Sequence, residues 1–185
     1  MYRKFILLII IVIFLTSLSF AQTINTDQQG DQLLAEVRTI LAPMGIIVNR
    51  NFPVFVRPYD DIQRQNIAKG GLSMEVAGFY KPYGGEAIWM MAGLPKYRAI
   101  STIAHEYTHA WQTDNCPLQD RMLSEGFATW VEYKVLTKMG YTTAANQLFS
   151  GSNADYSQGL KIFYNIEQKQ GTQAAIDYAK TAKKP

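Results

Sequence analysis

The 185-residue chain contains two histidines, and they stand four apart in His105-Glu106-Tyr107-Thr108-His109. On an α-helix, residues i and i+4 share a face about 6 Å apart along the axis, so both imidazoles can reach one ion. Glu106 is turned about 100° away from His105 and cannot act as an equal ligand from the same helix. It stands instead beside the water that such an ion would acidify, as a carboxylate able to take the proton. The pattern predicts a single zinc ion and hydrolytic chemistry.

A helix must carry these residues, and the flanks predict one. Ile100, Ile103, Ala104, Tyr107, Ala110 and Trp111 recur at helical period, so one face is buried while the histidines share another. Pro95 suits the first turn, and Asn115 with Pro117 marks the end. Upstream, Leu33, Leu34, Val37, Ile40 and Leu41 predict a helix over 27–42, ended by Pro43 and Gly45. The runs 46–48 and 54–56 read as strands, and Asp60 or Asp61 caps a short helix reaching Lys69, where Gly70 and Gly71 release the chain. Segments 74–80 and 86–91, joined by the turn-rich 81–85, predict a hairpin. Its second strand lies just before the histidine helix, where it either offers an edge to an extended peptide or merely covers the sheet.

Downstream, Pro117 and Asp120 open a helix that runs to about Met139 and stops at Gly140; three more helices are expected over 142–149, 156–170 and 172–183. The fold class is therefore α+β, with a small mixed sheet, a helix carrying the histidines and a mainly helical C-terminal half. There are no repeats and no second domain.

Arg3 and Lys4 precede an apolar run from Phe5 to Leu15, followed by Thr16, Ser17, Leu18, Ser19, Phe20 and Ala21, with small residues at the two positions that a signal peptidase reads. This is the pattern of a signal peptide over 1–21, cleaved after Ala21, and it predicts an exported protein with no membrane attachment after cleavage. The run is shorter than the roughly 20 residues of a membrane span, although Leu18 and Phe20 extend it and leave an uncleaved anchor as the alternative. No Cys follows it, which excludes lipid attachment at that junction.

Removing 21 residues from 185 leaves 164, enough for one domain with its own core. Without Arg3 and Lys4 the 18 basic residues fall to 16 against 15 acidic ones, a balance that offers no basic face for nucleic acid. Lys180, Lys183 and Lys184 read as a solvated helix end. Cys116 has no disulfide partner in the chain; it is either an ordinary half-buried thiol or a regulatory thiolate near the metal.

A catalytic zinc usually has three protein ligands, and no third histidine exists. Asp114, Asp120, Glu125 and Glu132 are the downstream candidates. Asp114 lies too close to double back, and Asp120 suits a helix N-cap but is kept as a lesser candidate ligand. Glu125 is preferred because Gly126 follows it. A glycine within a helix costs about 1 kcal/mol relative to alanine and asks for a packing reason, which close approach to the histidine helix would supply. Glu132, two turns further on, is a possible supporting group or an exposed charge. The ligand set is thus His105, His109 and Glu125.

His105-Glu106-Tyr107-Thr108-His109 with the later Ser124-Glu125-Gly126-Phe127-Ala128-Thr129-Trp130 resembles the gluzincin metallopeptidases. More narrowly, Ile88 to Pro95 leading into Ile103 to Trp111 is similar to the peptidase domain of the plant LIM-domain, ubiquitin-activated peptidases, over roughly residues 72–180. The chain lacks the LIM and ubiquitin-binding modules of those proteins. The resemblance implies a zincin-like fold, one zinc, Glu106 as catalytic base and cleavage of a peptide or protein substrate. It also draws attention to Tyr156, in Tyr156-Ser157-Gln158-Gly159, as a donor to the transition-state oxyanion, where the bland reading is an ordinary aromatic. One departure matters: the thermolysin-like branch has an Asp four residues after the ligand Glu, and this chain has Thr129, so support for the ligand histidine must come from elsewhere. A catalytically inactive binding protein on the same scaffold is the rival reading, and the intact Glu106 weighs against it.

Overall fold

The computed structural model describes residues 22–68 and 76–185. The leader expected over 1–21, the helix end at Lys69, Gly70, Gly71 and the start of the hairpin at Met74 lie outside the described residues.

Helix α1 (Asp27–Leu41) opens on a capping box, in which the Thr26 hydroxyl accepts from the Gln29 amide while the Gln29 side chain accepts from the Thr26 amide. It buries Leu33, Leu34, Val37 and Leu41. Before it, strand β1 (Thr23–Ile24) pairs antiparallel with β5 (Leu94–Pro95) and straps the chain across the entrance of helix α3 (Lys96–Asn115). A mixed three-stranded sheet has β4 (Ala87–Met91) at its centre, β2 (Val54–Arg57) parallel on one side and β3 (Gly78–Lys81) antiparallel on the other. Helix α2 (Tyr59–Ala68) follows β2.

The C-terminal half is helical: α4 (Arg121–Lys138), α5 (Thr142–Gln147) with a 3₁₀ turn over Leu148–Ser150, α6 (Ala154–Gln170) and α7 (Thr172–Thr181). Trp111 of α3, Phe127 and Trp130 of α4 and Phe163 of α6 are fully buried and in ring contact, which joins the histidine helix to the C-terminal layer. The chain is α+β, mainly helical with small sheets, as its periodicities predict.

Three expectations need correction. Residues 46–48 form no strand. Ile46 and Val48 are buried, and the Val48 N–H donates to the Tyr107 hydroxyl at 2.9 Å, so one side chain takes the place of a ladder. The second strand of the hairpin is not an edge either: β4 is central, and β3 borders the sheet on the side of α3. Finally, the partner of Gly126 is not α3. A Cβ on Gly126 would lie 2.4 Å from the Cα of Gly159 in α6, and one on Gly159 would lie 2.3 Å from the Met122 carbonyl oxygen. The two glycines let α4 and α6 cross at backbone contact.

Candidate metal centre

Helices α3 and α4 run antiparallel, Ser101 meeting Glu132 at one end and Gln112 meeting Ser124 at the other. The pairing brings Glu125 over the histidine face. Nε2 of His105 lies 3.1 Å and Nε2 of His109 3.5 Å from one Glu125 carboxylate oxygen. Each residue offers one donor atom, all within 4.8 Å of one another, and among the described residues this is the one such group that could hold a metal ion. Two imidazole nitrogens and a carboxylate oxygen suit a borderline divalent cation. Asp120 is not drawn in, because its carboxylate caps α4 by accepting from the Leu123 amide at 2.9 Å. Asp114 pairs with Arg50.

Both imidazoles are held from behind through Nδ1, which leaves Nε2 to face the centre. Nδ1 of His105 is 3.3 Å from Glu132, whose other oxygen accepts from the Ser101 hydroxyl. Nδ1 of His109 is 2.8 Å from Oε1 of Gln112, and the amide of Gln112 donates to the Ser124 carbonyl at 3.0 Å. Such partners set tautomer and ring orientation in metal sites. Glu132 is thus a buried supporting acid and not an exposed charge, with 8% of its surface accessible. The Thr129 hydroxyl donates to the Glu125 carbonyl of its own helix and supports neither histidine.

These contacts dominate the electrostatics. Burial disfavours the imidazolium of His105, but the carboxylates of Glu125 and Glu132 outweigh it and push the group up to about 10. Burial likewise opposes the charge on Glu125, and the two histidines overcome it and hold the carboxyl well below its usual range.

Glu106 projects to the neighbouring side, 9% exposed, and accepts a hydrogen bond from the Tyr80 backbone N–H at 2.7 Å. The register explains this contact. The Met91 amide donates to the Ala77 carbonyl, so positions 77, 79 and 81 bond to β4, while the N–H and C=O of Gly78 and Tyr80 turn away from it, the Tyr80 N–H toward Glu106. Gly78 permits the approach: a Cβ there would sit 2.6 Å from the Thr102 methyl group of α3. Edge strand, histidines and Glu106 together border a cleft of about 930 Å³, closed on its far side by α4, α5 and the start of α6.

Tyr156, in the first turn of α6, also lines the cleft and stacks on the His105 ring, with centroids 5.5 Å apart and planes at 16°. Burial first, then the charge and hydrogen bond of Glu125, push its phenol well above the ordinary value, and Arg121 bonds to it in the opposite sense. The hydroxyl is a protonated donor at neutral pH. Arg121 is itself paired with Asp155 at 3.2 Å.

All four residues singled out in the sequence, His105, His109, Glu125 and Glu106, meet at one place, and Tyr156 joins them. Gln112, Arg121 and the Tyr80 amide belong to the site without having been foreseen. Gln112 is legible in retrospect, three residues after His109 on the same helical face, and so is Arg121, one turn before Glu125. A backbone amide from a strand distant in sequence leaves no such signal. Cys116 does not line the cleft, and burial pushes its thiol up to about 11, so it is no thiolate at neutral pH. No family model, curated protein or solved structure matches the chain.

Proposed function

We propose that the protein is an exported zinc metallopeptidase of gluzincin type on a zincin-like scaffold. The observation that carries this reading is the convergence of Nε2 of His105, Nε2 of His109 and the Glu125 carboxylate, with the Glu106 carboxylate next to them on the cleft wall. Three protein donors leave a coordination position open, the mark of a catalytic rather than a structural ion. Zinc held there would polarise a scissile carbonyl and lower the pKa of water.

The remaining work falls to the chain's own side chains. Glu106, with one oxygen committed to the Tyr80 amide, has the other for the attacking water; it takes the proton as the water oxygen bonds to the carbonyl carbon. The Tyr156 hydroxyl donates to the oxygen that becomes negative. Glu106 then returns the proton to the amide nitrogen, the C–N bond breaks, and an amine and a carboxylic acid leave. The outward N–H and C=O of Gly78 suit an extended peptide added to the sheet at β3, which aligns a main chain with the cleft.

Metal content and cleavage of a broad peptide library, measured for the wild type and for Glu106→Gln, test this reading. The expected result is equal zinc in both and hydrolysis in the wild type alone. Cleavage surviving in Glu106→Gln would overturn the mechanism, and a zinc-loaded wild type that cuts nothing would favour a binding protein on the same scaffold.

A further inference from the structure

A cluster of charged side chains outside the metal centre bears on it through one strand. Arg50 lies in the irregular segment that replaces the expected strand, before β2. Its Nε contacts both carboxylate oxygens of Glu86 at 2.7 Å, and Nη1 pairs with Asp114 in the last turn of α3. Nη2 lies 3.1 Å from the Tyr80 hydroxyl and 3.5 Å from the Ala110 carbonyl oxygen. The Tyr80 hydroxyl donates in turn to Glu86, which immediately precedes β4. One guanidinium thus ties both strands of the hairpin to α3, using the rigid fork of donors that only arginine has.

Tyr80 is therefore gripped at both ends. Its phenol sits in the cluster, packed against Phe52 with ring centroids 5.9 Å apart, while its backbone N–H holds Glu106. A purely structural ion cluster would tie a hairpin to a helix anywhere along their length. This one acts on the residue whose backbone N–H bonds the Glu106 carboxylate. Burial, followed by the Glu86 hydrogen bond, pushes the Tyr80 phenol up to about 12, so it remains a donor throughout the working pH range.

We propose that Arg50 is a positioning residue: through Tyr80 it fixes the edge strand β3 against α3 and thereby sets the direction of the Glu106 carboxylate. The kinetic consequence rests on the peptidase reading; the structural one does not. Slack in the strand would let Glu106 swing from its line of attack while leaving His105, His109 and Glu125, anchored on α3 and α4, in place. Small misplacements of this kind cost about a hundredfold in rate.

The test uses the full chain loaded with zinc, as wild type, Arg50→Lys and Tyr80→Phe. Arg50→Lys keeps the charge and loses the fork; Tyr80→Phe removes one hydroxyl and guards against a folding defect in the first variant. Amide hydrogen exchange at Tyr80 is expected to rise at least about tenfold in both, with exchange in α4 and α6 and zinc stoichiometry unchanged. With a cleaved peptide, kcat should fall about ten- to a hundredfold while KM stays within about threefold. Unchanged exchange at Tyr80 in both variants would overturn the proposal, as would a rise spread equally over α4 and α6. A wild type that cuts no peptide would sink the peptidase reading alone, and the exchange at Tyr80 would still decide the role of Arg50.

Discussion

Gly126 of α4 and Gly159 of α6 touch backbone to backbone, with 2.4 Å between the place of a Cβ on one and the Cα of the other. Tyr156 lies one turn before Gly159, and this crossing brings its ring onto His105. Gly126→Ala or Gly159→Ala is expected to wedge the helices apart at a cost of about 2–3 kcal/mol, because backbone at the contact cannot rotate aside. Chemical denaturation would measure the loss. A substitution costing under about 0.5 kcal/mol would show that the crossing tolerates a methyl group.

Glu132→Ala and Gln112→Ala each remove the group behind one imidazole. Zinc affinity, measured by competition with a chelator, should fall about 10–100-fold in each, and in Glu125→Ala by far more than in Asp120→Ala. The reverse order for the last pair would exchange ligand for cap.

With its value raised by Glu125 and Glu132, His105 is expected to give up a proton when an ion binds. Below the His105 value of about 10, one proton should leave with each ion bound, and affinity should climb about tenfold per pH unit. Calorimetry in buffers of different ionisation enthalpy counts that proton. The sign for the metal-free protein is opposite. A histidine whose value is raised on folding stabilises fully below about 6.5 and loses that contribution as pH rises toward 10. His105→Gln should remove this part of the pH dependence.

Glu167, on α6, receives the Trp130 indole N–H at 3.0 Å and pairs with Lys134, pinning α6 to α4. Although burial works against the ionised form, these partners and Thr172 hold the carboxyl below its ordinary 4.5. A depressed carboxyl contributes stability above its unfolded value and loses it as pH falls through the folded one. Thermal melts from pH 6 down to about 3 should therefore show a steeper loss for the wild type than for Glu167→Gln.

Tyr156→Phe removes the donor hydroxyl but not the ring stacked on His105. Zinc content should be kept and kcat reduced by about a hundredfold or more, the cost of deleting one oxyanion donor. An unchanged kcat would return Tyr156 to the status of an aromatic wall.

The amino-acid sequence alone determined what depends on neighbours along the chain. His105 and His109 share a face because i and i+4 do so on any α-helix, and Glu106 cannot share it. Helix limits were legible from Asp120 and Gly140 for the same reason. What needed the tertiary structure was every contact between residues far apart in sequence. Glu132 is an exposed charge or a buried partner of His105 depending on how α4 lies against α3, and Gly126 is silent on which helix approaches it. Strand order placed β3, not β4, at the edge, because periodicity fixes which face of a strand is buried but not which neighbours it takes. Residues 46–48 carry the composition of a strand, yet they are satisfied by the Tyr107 hydroxyl from 59 positions away. The grip of Arg50 on Tyr80, and of Tyr80 on Glu106, joins three segments that no local pattern links.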